Sequence, residues 1–306
     1  MKTLFVAARA NPEAMADMFR AELPDHDVVT TAPTGRPVAY AVVGKPLPGT
    51  LSQLHGLELV LSLNAGIEHL LASSEGPDGV PIVRMVDPGL VDGMVEWVAA
   101  HVLAWHRNLF VYHDQQRAGA WTPHAELMAR ERIATVLGAG ALGGPVAAML
   151  ATLGFRVRTW SRSGRITPGI EGFGSSRLDE AATGANILVN LLPATAETAN
   201  LIDAALLGRL APGALLVNAG RGAAVVDADV LAGLDSGQLA SAVLDVFRTE
   251  PLPADHPFWS HPKVFVSPHV AAPTHARTAV AVMAESIRRH ERGEMVPHIV
   301  DRTLGY

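Results

Sequence analysis

Cysteine is absent from all 306 residues. Disulfides and thiolate metal ligands are thereby excluded, and a reducing, cytoplasmic setting is the expectation. Charge is also sparse: 18% of residues are charged, and the net charge is −6. A nucleic-acid surface needs clustered Lys and Arg to neutralise phosphate, so no nucleic-acid partner is expected. No apolar run reaches the length of a membrane span, and the first apolar stretch, residues 3–8 after Lys2, is too short for a signal-peptide core. No membrane partner is expected either. What the chain has in plenty is apolar side chains, 49%, and 28 glycines. At this length they suit a well-packed protein of two domains.

The stretch around which the chain is organised starts at residue 133. Ala134-Thr135-Val136-Leu137 is an apolar run of strand type, followed by Gly138-Ala139-Gly140-Ala141-Leu142-Gly143 and an Ala-rich helical stretch. Strand, G-x-G-x-x-G and helix in that order are the dinucleotide-binding turn. The first glycine allows the tight turn, the second lets backbone N–H groups approach a pyrophosphate, and the third lets helix and strand pack closely. The phosphates then meet the positive end of a helix dipole. Pro145 lies early in that helix, where its missing N–H breaks no bond.

Alternating strands and helices surround this turn. Before it, strands are expected at 4–8, 27–31, 40–43 and 59–63, with a helix over 12–23, in an α/β unit that lacks a Gly-rich phosphate turn. After it, strands are expected at 156–160, 186–190, 214–218, 241–245 and 263–267, which with 133–137 makes six. Crossover helices fit 177–183, 203–210 and 227–234, with Ser176, Asp203 and Asp227 as caps. A doubly wound parallel sheet of the Rossmann type follows. Thr274 is expected to cap a last helix through Arg292 that returns to the first domain. The organisation read from this is a nucleotide domain over 93–273, inserted in a smaller flavodoxin-like α/β substrate domain made of 1–92 and 274–306.

A helical pattern over 90–113 is apolar on more than one side, as for a helix buried between two bodies. His101, His106 and His113 lie on it, at spacings of five and seven that do not share one face. They read as packed or surface histidines, and no metal site is expected.

An NAD-binding unit should carry an acid about 20 residues past its glycines, to hold the ribose hydroxyls. Here the second strand ends Thr159-Trp160-Ser161-Arg162-Ser163-Gly164-Arg165, without one. Arg offers a phosphate a charge-assisted fork, and Ser a hydroxyl. NADPH is therefore the expected cofactor, with Arg162 and Ser163 at its 2′-phosphate, Arg165 in support, Ser161 also among the cofactor-binding residues, and NAD possible.

Three further features sit at successive strand ends, the edge where open α/β sheets bind ligands. They are Asn218-Ala219-Gly220-Arg221-Gly222, then Asp245-Val246-Phe247-Arg248-Thr249-Glu250-Pro251-Leu252-Pro253, then Ser267-Pro268-His269-Val270-Ala271. With the glycine turn, with Leu191-Leu192-Pro193-Ala194-Thr195-Ala196-Glu197-Thr198, and with the ending Val300-Asp301-Arg302 and Gly305-Tyr306, these motifs carry a resemblance over essentially the whole chain. It resembles the D-isomer-specific 2-hydroxyacid dehydrogenases, and within them the bacterial glyoxylate/hydroxypyruvate reductase A branch.

The resemblance implies reduction of a small 2-keto acid, with Arg221 gripping its carboxylate and keto oxygen, His269 as acid/base and Glu250 as the histidine's partner. The chemistry agrees, because charge builds on the keto oxygen as hydride reaches C2. Histidine titrates near neutrality, and a neighbouring carboxylate favours the protonated form that donates. The amides of Asn64, Ala65 and Gly66 are implied to hold the other side of the carboxylate. Gly138, Gly140, Ala141, Leu142, Gly143, Leu192, Pro193, Thr198, Ala219, Asp245 and Ala271 are implied to border the cofactor, Asp245 at its nicotinamide end. A homodimer through the nucleotide domain is also implied, with the 90–113 helix contributing.

Two departures bear on the substrate. The position of Asn64 usually holds glycine in this branch, and Gly44 stands where a tryptophan often lies. A bulkier 2-keto acid is therefore an alternative. A second alternative, a cofactor-sensing binding protein of the same fold, is disfavoured by the intact Arg221, Glu250 and His269.

Overall fold

The computed structural model describes residues 1–8, 11–72 and 79–304. The chain forms two compact units, Met1–Leu90 with Pro273–Tyr306, and Val91–Ala272. In the first, short Val- and Leu-rich runs make β1 (Thr3–Ala7), β2 (Asp27–Val29), β3 (Tyr40–Val43), β4 (Leu59–Ser62) and β5 (Ile82–Val83). β3 and β4 are buried along their whole length, as strands covered on both faces must be. Helix α1 (Pro12–Glu22) begins after Asn11, whose side chain accepts from the Ala14 amide. A short helix, α2 (Glu68–Ala72), follows β4. The strands pair in parallel in the order β2-β1-β3-β4-β5, so the winding direction reverses between β1 and β3. That is the flavodoxin-like order.

Helix α3 (Pro88–His106) carries the chain into the second unit. The expected single helix over 90–113 is in fact two. α3 ends at His106, Asn108 adopts a φ of 56°, and α4 (Leu109–Ala118) starts anew. Asparagine tolerates left-handed backbone, and a break made without Gly or Pro leaves no mark on the apolar period.

The second sheet holds seven parallel strands: β6 (Ile133–Leu137), β7 (Arg156–Trp160), β8 (Glu171–Phe173), β9 (Ile187–Asn190), β10 (Ala214–Asn218), β11 (Leu239–Leu244) and β12 (Val264–Val266). The unexpected seventh is β8, a three-residue edge strand with Gly172 at its centre, too short and too Gly-rich to signal itself. Their order is β12-β11-β10-β9-β6-β7-β8, so the sheet's switch point falls between β6 and β9. Helices α5 (Gly143–Thr152), α6 (Leu178–Ala182), α7 (Ala204–Leu207) and α8 (Asp227–Ser236) make the crossovers.

Asp203 caps α7 by accepting from the Leu206 amide at 2.9 Å. The other two expected caps do not form. A 3₁₀ turn, Ser175–Arg177, leads into α6, and Asp227 is already the first residue of α8, where its charge meets the helix dipole.

Alternation along the strands sends Leu137, Leu188, Leu216 and Leu244 to one face of the sheet. Val136, Val189, Val217 and Val243 go to the other, against Val98 and Val102 of α3 and Val146 and Leu150 of α5. Each such side chain contributes roughly 1.5–3 kcal/mol on burial. The loops at the C-terminal edge thus stand on a rigid base.

The chain returns to the first unit through α9 (Ala276–Glu291). His275, not Thr274, holds the cap position; the Thr274 hydroxyl instead donates to the Leu63 carbonyl at 2.9 Å, tying the returning chain to the end of β4. Arg288 Nη2 ties α9 to α1 by donating to the carbonyl and the carboxylate of Glu22, at 2.7 and 2.9 Å. Gly293, at a φ of 68°, lies just beyond the C-cap of α9. Gly305 and Tyr306, the end of the last motif, lie outside the described residues.

Candidate active site

The three glycines of the turn after β6 do three different things. Gly138 has a φ of 104°, open to glycine but strained for other residues. A Cβ on Gly143 would lie 1.6 Å from the Gly138 carbonyl oxygen, so helix and turn meet there without room for a methyl. A Cβ on Gly140 would meet nothing within 4 Å. That glycine faces open space, where only an incoming ligand could need the clearance. No side chain caps α5; the Gly144 amide donates to the Gly140 carbonyl at 3.0 Å and Pro145 has no N–H, which leaves the Gly143 amide at the helix start for an anion. These features, at the switch point of the sheet, fit a pyrophosphate. Pro145 sits in the first turn of α5, without disturbing it.

Past β7 the chain turns tightly, with the Gly164 amide donating to the Ser161 carbonyl at 3.1 Å and the Arg165 amide to Ser161 Oγ at 2.8 Å. Ser163 and Arg165 are exposed, and Arg162 donates from Nη1 to Glu197 Oε2 at 3.2 Å. The loop after β9 is braced by Thr198, whose hydroxyl donates to the Pro193 carbonyl at 2.7 Å and accepts from the Thr195 amide at 2.9 Å. Thr198 is thus committed to its own loop, beside the buried Leu192.

β9 and β10 end alike, in Leu188-Val189-Asn190 and Leu216-Val217-Asn218. The two asparagines are buried and joined, Asn190 Nδ2 donating to Asn218 Oδ1 at 2.9 Å. Oδ1 of Asn218 also accepts from the Gly220 amide, and its Nδ2 donates to the Arg221 carbonyl, both at 3.3 Å. This pair holds the Arg221 loop against the loop after β9, and its signal in the sequence is the repeated strand ending. Gly220 and Gly222 let the loop pass close by: a Cβ on Gly220 would lie 2.9 Å from the Leu192 backbone, and one on Gly222 1.9 Å from the Phe247 carbonyl carbon. Arg221 between them is extended and half-buried, with Ala219 buried just before it.

Asp245, at 1% exposure, spends its carboxylate on the next loop. Oδ1 accepts from Ser267 Oγ at 2.5 Å and from the Val270 amide at 2.8 Å, and Oδ2 accepts from the Ala271 amide at 2.9 Å. The Asp245 carbonyl takes the His269 amide at 2.8 Å. These bonds hold His269 in left-handed backbone, with a φ of 54°, a conformation that persists only where the surroundings determine it. His269 Nδ1 donates to Glu250 Oε2 at 2.8 Å, and Glu250 Oε1 accepts from the Phe247 amide at 3.0 Å. A carboxylate can only accept, so Nδ1 carries the hydrogen and Nε2 is the nitrogen left for proton exchange.

In the first unit, the turn after β4 differs from expectation in one respect. The Asn64 amide already donates to Ser62 Oγ at 3.1 Å, while that hydroxyl donates to the Asn64 carbonyl at 3.1 Å. The Ala65 and Gly66 amides have no partner among the described residues. Of the three amides expected to hold a carboxylate, two are left at this turn. His69 donates from Nε2 to the Gly44 carbonyl at 2.8 Å and stands 3.5 Å from the Asn64 amide group. The three helix histidines are separate: His101 Nδ1 donates to the Trp97 carbonyl at 2.8 Å, His106 packs edge-on against Phe155, and His113 is exposed.

A dinucleotide turn at the switch point of a doubly wound sheet, with an arginine and a histidine–carboxylate pair on neighbouring strand ends, defines a pyridine-nucleotide oxidoreductase. Comparison with known proteins narrows the class. The profile described as "D-isomer specific 2-hydroxyacid dehydrogenase, NAD binding domain" matches residues 99–271. Glyoxylate/hydroxypyruvate reductase A of Klebsiella pneumoniae subsp. pneumoniae is 42% identical over 277 residues, 89% of this chain and 88% of the relative. A D-isomer specific 2-hydroxyacid dehydrogenase of Xanthobacter autotrophicus Py2, solved with NADPH and MES, superposes with a TM-score of 0.94 at 37% identity, over 100% of this chain and 99% of that one. An NADPH-dependent glyoxylate/hydroxypyruvate reductase of Sinorhizobium meliloti, solved with NADP and sulfate, gives 0.93 at 35%, over the whole of both chains. The chain belongs to the D-isomer specific 2-hydroxyacid dehydrogenase family.

Proposed function

We propose that this protein reduces small 2-keto acids, glyoxylate and hydroxypyruvate, to 2-hydroxy acids with NADPH. The observation that carries the reading is the His269–Glu250 pair, held at a strand end beside that of Arg221. The cofactor supplies hydride when bound; the rest is the work of side chains and amides. Ala65 and Gly66 offer two N–H groups to the substrate carboxylate. Arg221 adds a planar two-point hold on the carboxylate and keto oxygen, which orients C2 and meets the charge that develops beside it. His269 gives a proton from Nε2 to that oxygen, while Glu250 holds the ring and balances the imidazolium. Arg162, Ser163 and Arg165 favour the 2′-phosphate, with no acid in their turn to repel it. A second reading keeps the mechanism and enlarges the substrate, since a Cβ on Gly44 would meet only Leu63 Cδ1, at 3.9 Å.

The reading extends to a cytoplasmic homodimer joined through the second unit. Its support is apolar surface: Leu109 and Val111 of α4 are 54% and 42% exposed, Phe265 41% and Trp121 98%. A cavity of about 330 Å³ lies among Trp105, Phe110, Val111 and Phe265.

The test is oxidation of NADPH, and separately of NADH, with glyoxylate, hydroxypyruvate, pyruvate and an aromatic 2-keto acid. Turnover of the two small acids with NADPH is expected. Preference for the aromatic acid would move the substrate, and tight cofactor binding without any turnover would favour a binding protein. His269→Ala should lower kcat about 10²- to 10⁴-fold with KM little changed, whereas Arg221→Ala should damage both.

A further inference from the structure

At the C-terminal edge of the second sheet, β9, β6 and β7 lie side by side. The loops leaving β9 and β7 therefore flank the glycine turn that leaves β6. An ion pair crosses from loop to loop: Arg162 Nη1, two residues beyond β7, to Glu197 Oε2 at 3.2 Å. The backbone at each end is braced, by the Ser161 turn on one side and by the Thr198 hydroxyl on the other. The Arg162 side chain is 33% exposed and that of Glu197 68%, so the pair can part at small cost.

We propose that Glu197 is a resident counter-charge for Arg162, displaced by the 2′-phosphate of the dinucleotide, and that it thereby sets how strongly the protein prefers the phosphorylated cofactor. The proposal rests on the reading that Arg162 meets that phosphate. A phosphate brings nearly two charges and three acceptor oxygens to the guanidinium, against the single charge of a carboxylate. A carboxylate left on the same arginine would lie well within a Debye length of the phosphate and repel it. Glu197 therefore swings into water as the phosphate arrives, which its exposure allows. A dinucleotide with a 2′-hydroxyl displaces nothing. The ion pair thus subtracts from affinity for the phosphorylated form alone, and the protein discriminates less than Arg162 by itself would.

If Glu197 instead served to aim the guanidinium at the phosphate, its removal would act in the opposite direction. Adenosine 2′,5′-bisphosphate and adenosine 5′-monophosphate separate the two cases without any turnover. Titration calorimetry of both into the unaltered protein, Glu197→Gln, Arg162→Ala and the double variant is the experiment. Glu197→Gln should tighten the bisphosphate about two- to fivefold, with the monophosphate unchanged, and the gain should vanish in the double variant. Weaker or unchanged bisphosphate binding by Glu197→Gln, with Arg162→Ala still costing at least tenfold, overturns the proposal and leaves the role of Arg162 standing. Unchanged bisphosphate binding by Arg162→Ala overturns both.

Discussion

Gly140 and Gly143 stand three residues apart and answer to different neighbours. A methyl on Gly143 would collide with the Gly138 carbonyl oxygen, a backbone atom that no rotamer can clear. Gly143→Ala should destabilise the protein by about 2–3 kcal/mol, read from urea unfolding. Gly140→Ala meets no protein atom. It should leave stability within about 0.5 kcal/mol and weaken dinucleotide binding at least about tenfold in a fluorescence titration. At this scale the motifs were legible because each residue type is demanded by a turn or a charge, as with the glycines, Arg221 and the pairing of Glu250 with His269. Uses of side chains within a loop were not legible. Nothing in the sequence indicates that Ser62 takes the Asn64 amide, or that Asp245 spends both oxygens on the His269 loop. Such bonds depend on where the backbone turns, and short polar side chains can serve many turns.

α3 carries a buried titratable group, and its chemistry belongs to the helix's packing rather than to the site. His106 is 6% exposed, with its ring 5.1 Å from that of Phe155 and its Nδ1 without a partner among the described residues. Burial chiefly, and then the Arg132 guanidinium, holds its imidazole below the ordinary histidine range. The unfolded chain takes up this proton near pH 6.5, whereas the folded one resists it until lower pH. Stability is therefore full above about pH 7 and falls as pH drops through 6.5, by at most about 1.4 kcal/mol per unit for the one proton. His106→Phe should flatten that part of the decline in urea midpoints measured from pH 7.5 to 5.5. The elements themselves were mostly legible, since long apolar strands and capped helices announce themselves by period. The misses share a cause. β8, β5 and the Asn108 break are short features whose formation is decided by neighbours already in place.

The proposed dimer makes the whole molecule testable by mass. Twice 32.3 kDa is expected in light scattering. Phe265→Glu combined with Trp121→Ser should shift the mass to one chain while cofactor binding persists, because neither residue lies at the glycine turn or the loops beside it. The nesting of the second unit within the first has a consequence for synthesis. α1 is made at the start of the chain, yet α9, to which Arg288 fastens it, comes after an insertion of roughly 180 residues. On the ribosome that interval lasts about 10–40 s at ordinary elongation rates. The later-made Rossmann sheet can therefore be finished while the earlier-made flavodoxin-like sheet still waits for its last helix. Nascent-chain stalling near residue 272 should catch a protein whose middle is folded and whose beginning still offers α1 to chaperones.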